Sequence, residues 1–242
     1  MPSRFLTFPL VALVLAGCAK PVPPPELVPP TPPLTQPPGA PPVATIPAGP
    51  VVEDAKDGVV GARGTPYAIL EFSDLQCPFC GPAFGVMDSY VHQHADVRLV
   101  VKHYPISGLC NPDIEGARHE FACAAAAAVI CANEQGKFDA LAGLLYSHQD
   151  MLADMSGFEK QAGVAGKRFD ACLAGPEPAA VLAQDLKEAE AVKVEGTPTI
   201  FVYGPWGPRW IQIHGGAAAA TAAIDAARAH QPLPSVAGET GG

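Results

Sequence analysis

The residues best suited to chemistry are Cys77 and Cys80, which are separated by Pro78 and Phe79. They follow a strand-like apolar run and open a stretch of helical character. At such a junction, backbone N–H groups and the positive end of the helix dipole point at the first sulfur, which favours a thiolate at Cys77. Pro78 suits the first helical position because it needs no N–H there. Cys80 lies on the same face, so its thiol can attack a mixed disulfide formed at Cys77, and the spacing predicts a redox-active dithiol.

A C-x-x-C pair can also be half of a zinc site or a closed structural disulfide. A tetrahedral zinc site usually needs a second pair of ligands at short spacing. The sequence contains no other C-x-x-C, no C-x-x-H and no H-x-x-x-H. A strand before the pair and a helix after it favour the redox interpretation, and we expect neither a metal nor a bound cofactor.

Hydrophobic patterns predict the elements that position the dithiol. Residues 67–72 form a buried strand, residues 78–94 a helix, and residues 97–103 a second, β-branched strand. A strand, a helix and a strand in this order form a βαβ unit with two parallel strands.

The remainder of the folding region extends this α/β pattern. Residues 115–174 are alanine-rich and helical, and they predict an all-helical insertion. A further helix is expected over about 179–192, a pair of antiparallel strands at 199–203 and 210–214, and a closing helix over 217–230.

A second chemical signal is the dipeptide Thr197-Pro198, directly before a predicted strand. Tertiary contacts can hold such a bond cis, which leaves the backbone N–H and C=O of Thr197 free to pair with an extended substrate. On its own the dipeptide is also compatible with a trans turn.

Together these segments resemble the DsbA-like branch of the thioredoxin superfamily, over about residues 52–230. The shared motifs occur in the family's order: Glu71-Phe72-Ser73-Asp74 before the dithiol, Lys102-His103-Tyr104-Pro105, Gln135-Gly136-Lys137-Phe138, Phe169-x-x-Cys172-Leu173 and Gly196-Thr197-Pro198-Thr199. The resemblance implies an α/β protein with a thioredoxin fold, in which a helical domain is inserted after the second strand of the βαβ unit.

The resemblance also implies roles for the residues around the dithiol. Cys77 would be the exposed nucleophile and Cys80 the resolving thiol, with Pro198 cis beside them. The residues expected to contact substrate are Pro78, Phe79 and Thr197.

Glu71 has a suggested role as well. A carboxylate behind a buried thiol can have its pKa raised by desolvation, and it can then exchange the proton that Cys80 must lose. Lys102, on the neighbouring strand, is expected to face Glu71. The alternative is an ordinary ion pair in solvent at the ends of the strands.

Four other cysteines are candidates for structural disulfides. Cys110 and Cys123 flank a loop, and closing it would stabilise the fold by about 3 kcal/mol on the chain-entropy model. Cys131 and Cys172 would then join two helices of the insertion. This pairing is a hypothesis, because four cysteines allow three connectivities. A second, regulatory redox pair is the alternative.

The first 17 residues have the pattern of an export signal, with one basic residue and an apolar run too short to span a bilayer. Leu15-Ala16-Gly17-Cys18 resembles the lipobox of bacterial lipoproteins, which implies cleavage before Cys18 and a lipid on its sulfur. An ordinary secretory signal is the alternative. Ala19 suggests sorting to the outer membrane, so we expect an anchored protein on the periplasmic side of the cell envelope.

Residues 18–50 read as a spacer between the lipid and the folded domain. Half of the 28 prolines lie there and charges are nearly absent, which favours an extended, semi-rigid chain. The folded domain is expected over residues 51–231, with the helical insertion at about 111–175. Residues 232–242 read as a flexible tail.

These features predict a thiol:disulfide oxidoreductase that acts on cysteines of exported proteins and uses a membrane redox partner. A net charge of −9 argues against a nucleic-acid surface. An oxidase is favoured over a reductase or isomerase, although Pro78-Phe79 lacks the histidine of the family's strongest oxidants. Two other classes remain open: a lipoprotein that binds a soft metal such as copper, and a structural lipoprotein whose C-x-x-C is a closed staple.

Overall fold

The computed structural model describes residues 45–47, 53–206 and 210–231. The predicted signal at 1–17, the lipidation site Cys18, most of the spacer and the tail at 232–242 lie outside these residues. In the part of the chain that is described, no helix is long and apolar enough to cross a bilayer.

A six-stranded mixed sheet forms the centre of the fold. The strands are β1 (Thr45–Pro47), β2 (Gly58–Val60), β3 (Tyr67–Ser73), β4 (Val97–His103), β5 (Thr199–Tyr203) and β6 (Ile211–Ile213), in the spatial order β1-β6-β5-β3-β4-β2. The parallel strands β3 and β4 lie inside the sheet and are buried almost throughout, which explains their high content of apolar residues.

The βαβ unit is present with the expected strand direction. β3 and β4 are parallel, with Tyr67 opposite Val97 and Ser73 opposite His103, and α1 (Cys80–Gln93) connects them. β5 is antiparallel to β3, and β6 is antiparallel to β5. The predicted α/β architecture is confirmed.

Strand β1 corrects the expected start of the folded domain. It lies within the stretch predicted as a spacer, yet it pairs antiparallel with β6, with Thr45 opposite Ile213. A three-residue edge strand needs only backbone pairing, and proline is tolerated at a sheet edge, so neither periodicity nor proline content reveals it. The boundary at residue 51 is therefore too late for the sheet.

The helical insertion lies between β4 and the helix that precedes β5. It contains α2 (Ala122–Asn133), α3 (Phe138–Ser147), a 3₁₀ helix (Gln149–Met151), α4 (Ser156–Ala162) and α5 (Lys167–Leu173). Disulfides join Cys110 to Cys123 and Cys131 to Cys172, which is the pairing of the sequence hypothesis. They link α2 to the loop before it and to α5.

The sheet has a hydrophobic core on each face, because side chains alternate between faces along a strand. α1, the insertion and α7 (Gly216–Arg228) cover one face, and α6 (Glu177–Ala191) covers the other. Ile69 and Val101 point to the first core, whereas Leu70 and Val100 point to the second. This alternation decides which polar groups can reach the dithiol.

Candidate active site

The dithiol lies where the loop after β3 meets α1, with Cys77 in the loop and Cys80 at the start of the helix. The helix begins at Cys80, two residues later than predicted, so Cys77 precedes its first turn. The Cys80 N–H donates to the Cys77 carbonyl at 3.1 Å and the Ala83 N–H donates to the Phe79 carbonyl at 3.3 Å. The cysteine motif is thus a tight turn whose last residue, Cys80, begins the helix.

Cys77 is buried rather than exposed. Its side chain is only 4% exposed, whereas Phe79 is 72% exposed, so the expectation of an exposed nucleophile is wrong for this structure. The physical reason is the loop before β5: the Thr197 carbonyl oxygen lies 3.4 Å from the Cys77 sulfur, and this loop covers it. Phe79 presents the accessible surface of the motif.

The two sulfurs differ strongly in acidity. The hydrogen bond from Cys80 is the largest cause that lowers the pKa of Cys77, to about 5, and the backbone N–H groups of Phe79 and Cys80 act in the same direction. The same hydrogen bond, then burial and the nearby charge of Glu71, raise the pKa of Cys80. Near neutral pH, Cys77 therefore holds the negative charge and Cys80 the proton.

Glu71 lies beneath this pair with no solvent exposure. Burial raises the pKa of its carboxyl to about 8, against a lowering effect of the hydrogen bond from Ser73. The Ser73 hydroxyl donates to Oε1 at 2.9 Å, and Oε2 has no hydrogen-bond partner among the described residues. A carboxyl with a pKa near neutrality is suited to take up or release a proton at Cys80.

Lys102 does not face Glu71, so this expectation is wrong. Glu71 is opposite Val101 in the parallel register, and Lys102 is opposite Phe72. Because successive side chains point to opposite faces, the lysine lies on the other side of the sheet. There it pairs with Asp57 at 2.7 Å and with Glu188 at 3.1 Å.

The Thr197–Pro198 peptide bond is cis, directly before β5. β5 pairs with β3, with Thr199 opposite Phe72, so the cis proline lies beside the loop that carries the dithiol. The Thr197 carbonyl is the group that contacts the Cys77 sulfur. The backbone just before the cis proline therefore lies directly against the first sulfur of the dithiol.

Two side chains, each with two contacts that sequence reasoning missed, hold the loop in place. Gln149, from the 3₁₀ helix of the insertion, donates to the Leu75 carbonyl at 2.9 Å and to the Cys77 carbonyl at 2.7 Å. Asp74 accepts the Ile106 N–H at 2.6 Å and lies 2.7 Å from Nδ1 of His119. These partners are distant in sequence, so only the tertiary structure brings them together.

Possible metal ligands are few in the region that the structure describes. Cys77 and Cys80 could hold a soft ion as a thiolate pair. Asp88, His92 and Asp139 form the one other group, and it lies on the far part of α1 and the start of α3. His92 Nε2 is 3.7 Å from Asp139 Oδ2, an ordinary ion-pair contact between exposed side chains.

The family model described as thioredoxin matches residues 53–206. This range contains the dithiol, Glu71, the helical insertion and the cis proline. It leaves out β1, β6 and α7.

One curated relative is the Na(+)/H(+) antiporter NhaA 3 of Salinispora tropica, which is 34% identical over 155 residues. The match covers 63% of this chain and 22% of the antiporter. The chain thus spans about a fifth of the length of this relative, and the similarity concerns that segment alone.

Two solved structures show a similar fold. A thioredoxin-like oxidoreductase from Silicibacter pomeroyi DSS-3 superposes with a TM-score of 0.56 at 23% identity, covering 73% of this chain and 94% of that one. The catalytic domain of Proteus mirabilis ScsC superposes with a TM-score of 0.52 at 20% identity, covering 68% and 82%. At these identities the likeness establishes the fold.

Proposed function

This chain belongs to the thioredoxin family, and from that premise we infer that it is a thiol:disulfide oxidoreductase that acts as an oxidase of protein cysteines. The observation that carries the proposal is the opposite acidity of the two sulfurs. A thiolate that is stable at Cys77 is a good leaving group, and its stabilisation raises the reduction potential of the disulfide. This favours passing the disulfide on to a substrate.

The exchange proceeds in two balanced steps. A substrate thiolate attacks the Cys77 sulfur of the Cys77–Cys80 disulfide, the S–S bond breaks, and Cys80 leaves with the electron pair and takes a proton from Glu71. A second substrate thiolate then attacks the substrate sulfur of the mixed disulfide, and Cys77 leaves as a thiolate. The substrate loses two electrons and the enzyme gains them.

Substrate contacts are proposed at the rim of the dithiol. Phe79 is exposed beside the sulfur and offers apolar contact, and Pro78 shapes the turn that presents it. Thr197, before the cis proline, offers its backbone to an extended chain. These groups recognise an unfolded segment around a cysteine rather than one folded surface.

We also propose that the enzyme is held on the periplasmic side of the cell envelope by a lipid on Cys18, in the outer membrane. The lipobox-like sequence before Cys18 and the even number of further cysteines support this. Exported proteins with cysteines are then the substrates, and a membrane redox partner of the quinone-linked kind reoxidises the dithiol. Labelling with radioactive palmitate tests the anchor: label in the wild type and none in Cys18→Ala is expected, and equal labelling contradicts it.

Redox direction is tested by titrating the dithiol against glutathione. We expect equilibrium near the strongly oxidising value of about −120 mV. A value near the thioredoxin value of about −270 mV contradicts the oxidase and supports a reductase. Cys77→Ser, which cannot form the disulfide, is the control. Reduced protein that carries Cu(I) and does not reduce insulin would support metal binding instead.

Substrates are identified by trapping. Cys80→Ala removes the resolving thiol, so a mixed disulfide at Cys77 accumulates and dithiothreitol releases the attached protein for mass spectrometry. Cys77→Ala is the matched control and traps nothing. Cysteine-containing exported proteins on Cys77 are expected, and a Cys80→Ala variant that carries no protein contradicts the proposed activity.

A further inference from the structure

A chain of hydrogen bonds reaches Glu71 from the helical insertion. The Tyr146 hydroxyl on α3 lies 2.7 Å from Ser73 Oγ, and Ser73 Oγ donates to Glu71 Oε1 at 2.9 Å. All three residues are buried: Glu71 is 0% exposed, Ser73 2% and Tyr146 7%. Tyr146 is 73 residues away from Ser73 in the sequence, so this contact exists only because the insertion packs over the dithiol.

The donor and acceptor in each of these hydrogen bonds follow from the number of protons that each group carries. An ionised carboxylate only accepts, and a serine hydroxyl has one proton to donate. When Ser73 gives its proton to Glu71, the Ser73–Tyr146 contact must be donated by the tyrosine. Whenever Glu71 is ionised, the Tyr146 hydroxyl therefore donates to Ser73 Oγ, and the Ser73 hydroxyl donates to Glu71 Oε1.

The ring of Tyr146 is fixed by its packing. It stacks on Phe84 with 4.6 Å between ring centroids and 25° between planes. Phe84 lies one turn after Cys80 on α1, so the phenol is held against the helix that carries the resolving thiol. The hydroxyl cannot leave Ser73 without disturbing this stack.

The two oxygens of Glu71 are consequently unequal. Oε1 is occupied by Ser73, whereas Oε2 is buried and has no partner within the described residues. Buried polar atoms nearly always have a hydrogen-bond partner, so an unpaired oxygen needs an explanation, and exchange of a proton with a neighbouring thiol is one. The Cys80 thiol is the group that interacts with this carboxyl and whose acidity responds to its charge.

We propose that Tyr146 and Ser73 are positioning residues that hold the Glu71 carboxyl so that Oε2 alone exchanges a proton with Cys80. The inserted helices thereby take part in the dithiol chemistry. This rests on the proposed function. The titratable groups that face Glu71 are Cys77 and Cys80 from the motif and Tyr146 from α3. Asp74 acts on the same tyrosine, and the strand neighbours Val101 and Ile200 are apolar.

The test uses a single turnover of the whole protein. Glutathione is placed on Cys77 as a mixed disulfide. Cys80 gives its proton to Oε2, its sulfur attacks the Cys77 sulfur, and glutathione leaves as a thiolate. The release rate is measured from pH 5 to pH 10. In the wild type the release rate should rise with pH and pass through a midpoint. The Glu71→Gln variant should lack this pH dependence.

Tyr146→Phe keeps the stacked ring and removes the hydroxyl. We expect its midpoint at higher pH, with release about three- to tenfold slower at pH 7, as a midpoint shift of about half a unit to one unit gives. Ser73→Ala should raise the midpoint pH at least as far. Ser73→Thr, which keeps a hydroxyl, should have the midpoint of the wild type. Tyr90→Phe is the matched control, because the Tyr90 hydroxyl donates to Asp225 between α1 and α7 and should leave the midpoint unchanged.

The outcomes are distinguishable. An unchanged midpoint in Tyr146→Phe, or a rate that falls equally at every pH, overturns the inference and leaves the proposed function intact. If Tyr146→Phe does not fold, the contrast between Ser73→Ala and Ser73→Thr decides in the same way. Absence of glutathione release from the wild type at any pH overturns the proposed function itself.

Discussion

Glu71 places a carboxyl inside an apolar strand, and among the described residues no lysine or arginine pairs with it. Burial raises its pKa from an ordinary value of 4.5 to about 8. The folded protein therefore binds a proton more tightly at this site than the unfolded chain does. The contribution of Glu71 to the free energy of unfolding is therefore at its full value below about pH 4.5. It decreases as the pH rises and is lost once the pH passes about 8.

Replacing this acid with its neutral isostere should stabilise the fold. Glu71→Gln removes the cost of ionising a buried carboxyl, so we expect the free energy of unfolding at pH 8 to rise by about 4 kcal/mol and to change little at pH 4. Urea unfolding at the two pH values measures this. Glu195→Gln, at an exposed position, is the control, and a loss of stability at pH 8 in Glu71→Gln would contradict the burial argument.

At this scale the sequence singled out the dithiol and Glu71, which the structure brings together, and missed the side chains that contact their segment. Cys77, Cys80 and Glu71 belong to one short segment whose spacing carries the chemistry. Tyr146 and Gln149 act through contacts with residues more than 70 positions away, and no local pattern marks them. The exposure of Cys77 was also wrong, because the covering loop comes from residue 197.

Three elements meet at a buried lysine on the sheet face opposite Glu71. Lys102 on β4 contacts Asp57 before β2 at 2.7 Å, and Asp185 and Glu188 on α6 at 3.6 and 3.1 Å. Burial raises the pKa of Asp57 to about 6 and that of Asp185 to about 8, although the lysine acts against it. One cation thus holds three carboxyl groups together.

Removing this cation should destabilise the protein more at high pH than at low pH. Lys102→Met leaves the carboxylates unpaired, so we expect a loss of about 3–5 kcal/mol at pH 8. The loss should be smaller at pH 5, where Asp57 and Asp185 take up protons. Denaturant melts at both pH values measure it. Lys187→Met on the exposed side of α6 should have no effect, and a pH-independent loss in Lys102→Met would argue against the ionic explanation.

Elements with strong hydrophobic patterns were predicted well. β4 has the expected bounds, and α1 begins two residues later and ends one residue earlier than predicted, at Cys80 and Gln93. Strands β1 and β2 were missed, because three residues carry almost no periodicity and their pairing partners are set by the sheet. The orientation of Lys102 needed the strand register, which the sequence alone does not supply.

In the whole molecule, the insertion is both a cover for the dithiol and a disulfide-bonded unit. The Cys131–Cys172 bond closes a separation of 41 residues that contains Tyr146 and Gln149, the two side chains that contact the active-site segment. The Cys110–Cys123 bond closes only 13 residues. The longer bond should therefore matter more for stability and for the dithiol.

The double variant Cys131→Ser/Cys172→Ser should lose about 4 kcal/mol of stability, as the chain-entropy relation gives for this loop length. It should also resolve mixed disulfides more slowly, because its positioning residues are less constrained. Thermal unfolding and glutathione release measure the two effects. Cys110→Ser/Cys123→Ser, with a loss of about 3 kcal/mol, is the comparison, and equal release rates in all three proteins would contradict the coupling.

In the described region Cys110 is bonded to Cys123 and Cys131 to Cys172, and the free thiols Cys77 and Cys80 form a third couple. Each couple consists of two cysteines that follow one another along the chain. No couple encloses or crosses another. Suppose that the chain is exposed to an oxidant with its amino terminus first, and that each thiol pairs with the next one to appear. The native disulfides then form without any reshuffling. A chain with this order of cysteines can acquire its disulfides from a simple oxidant, with no isomerase to correct them.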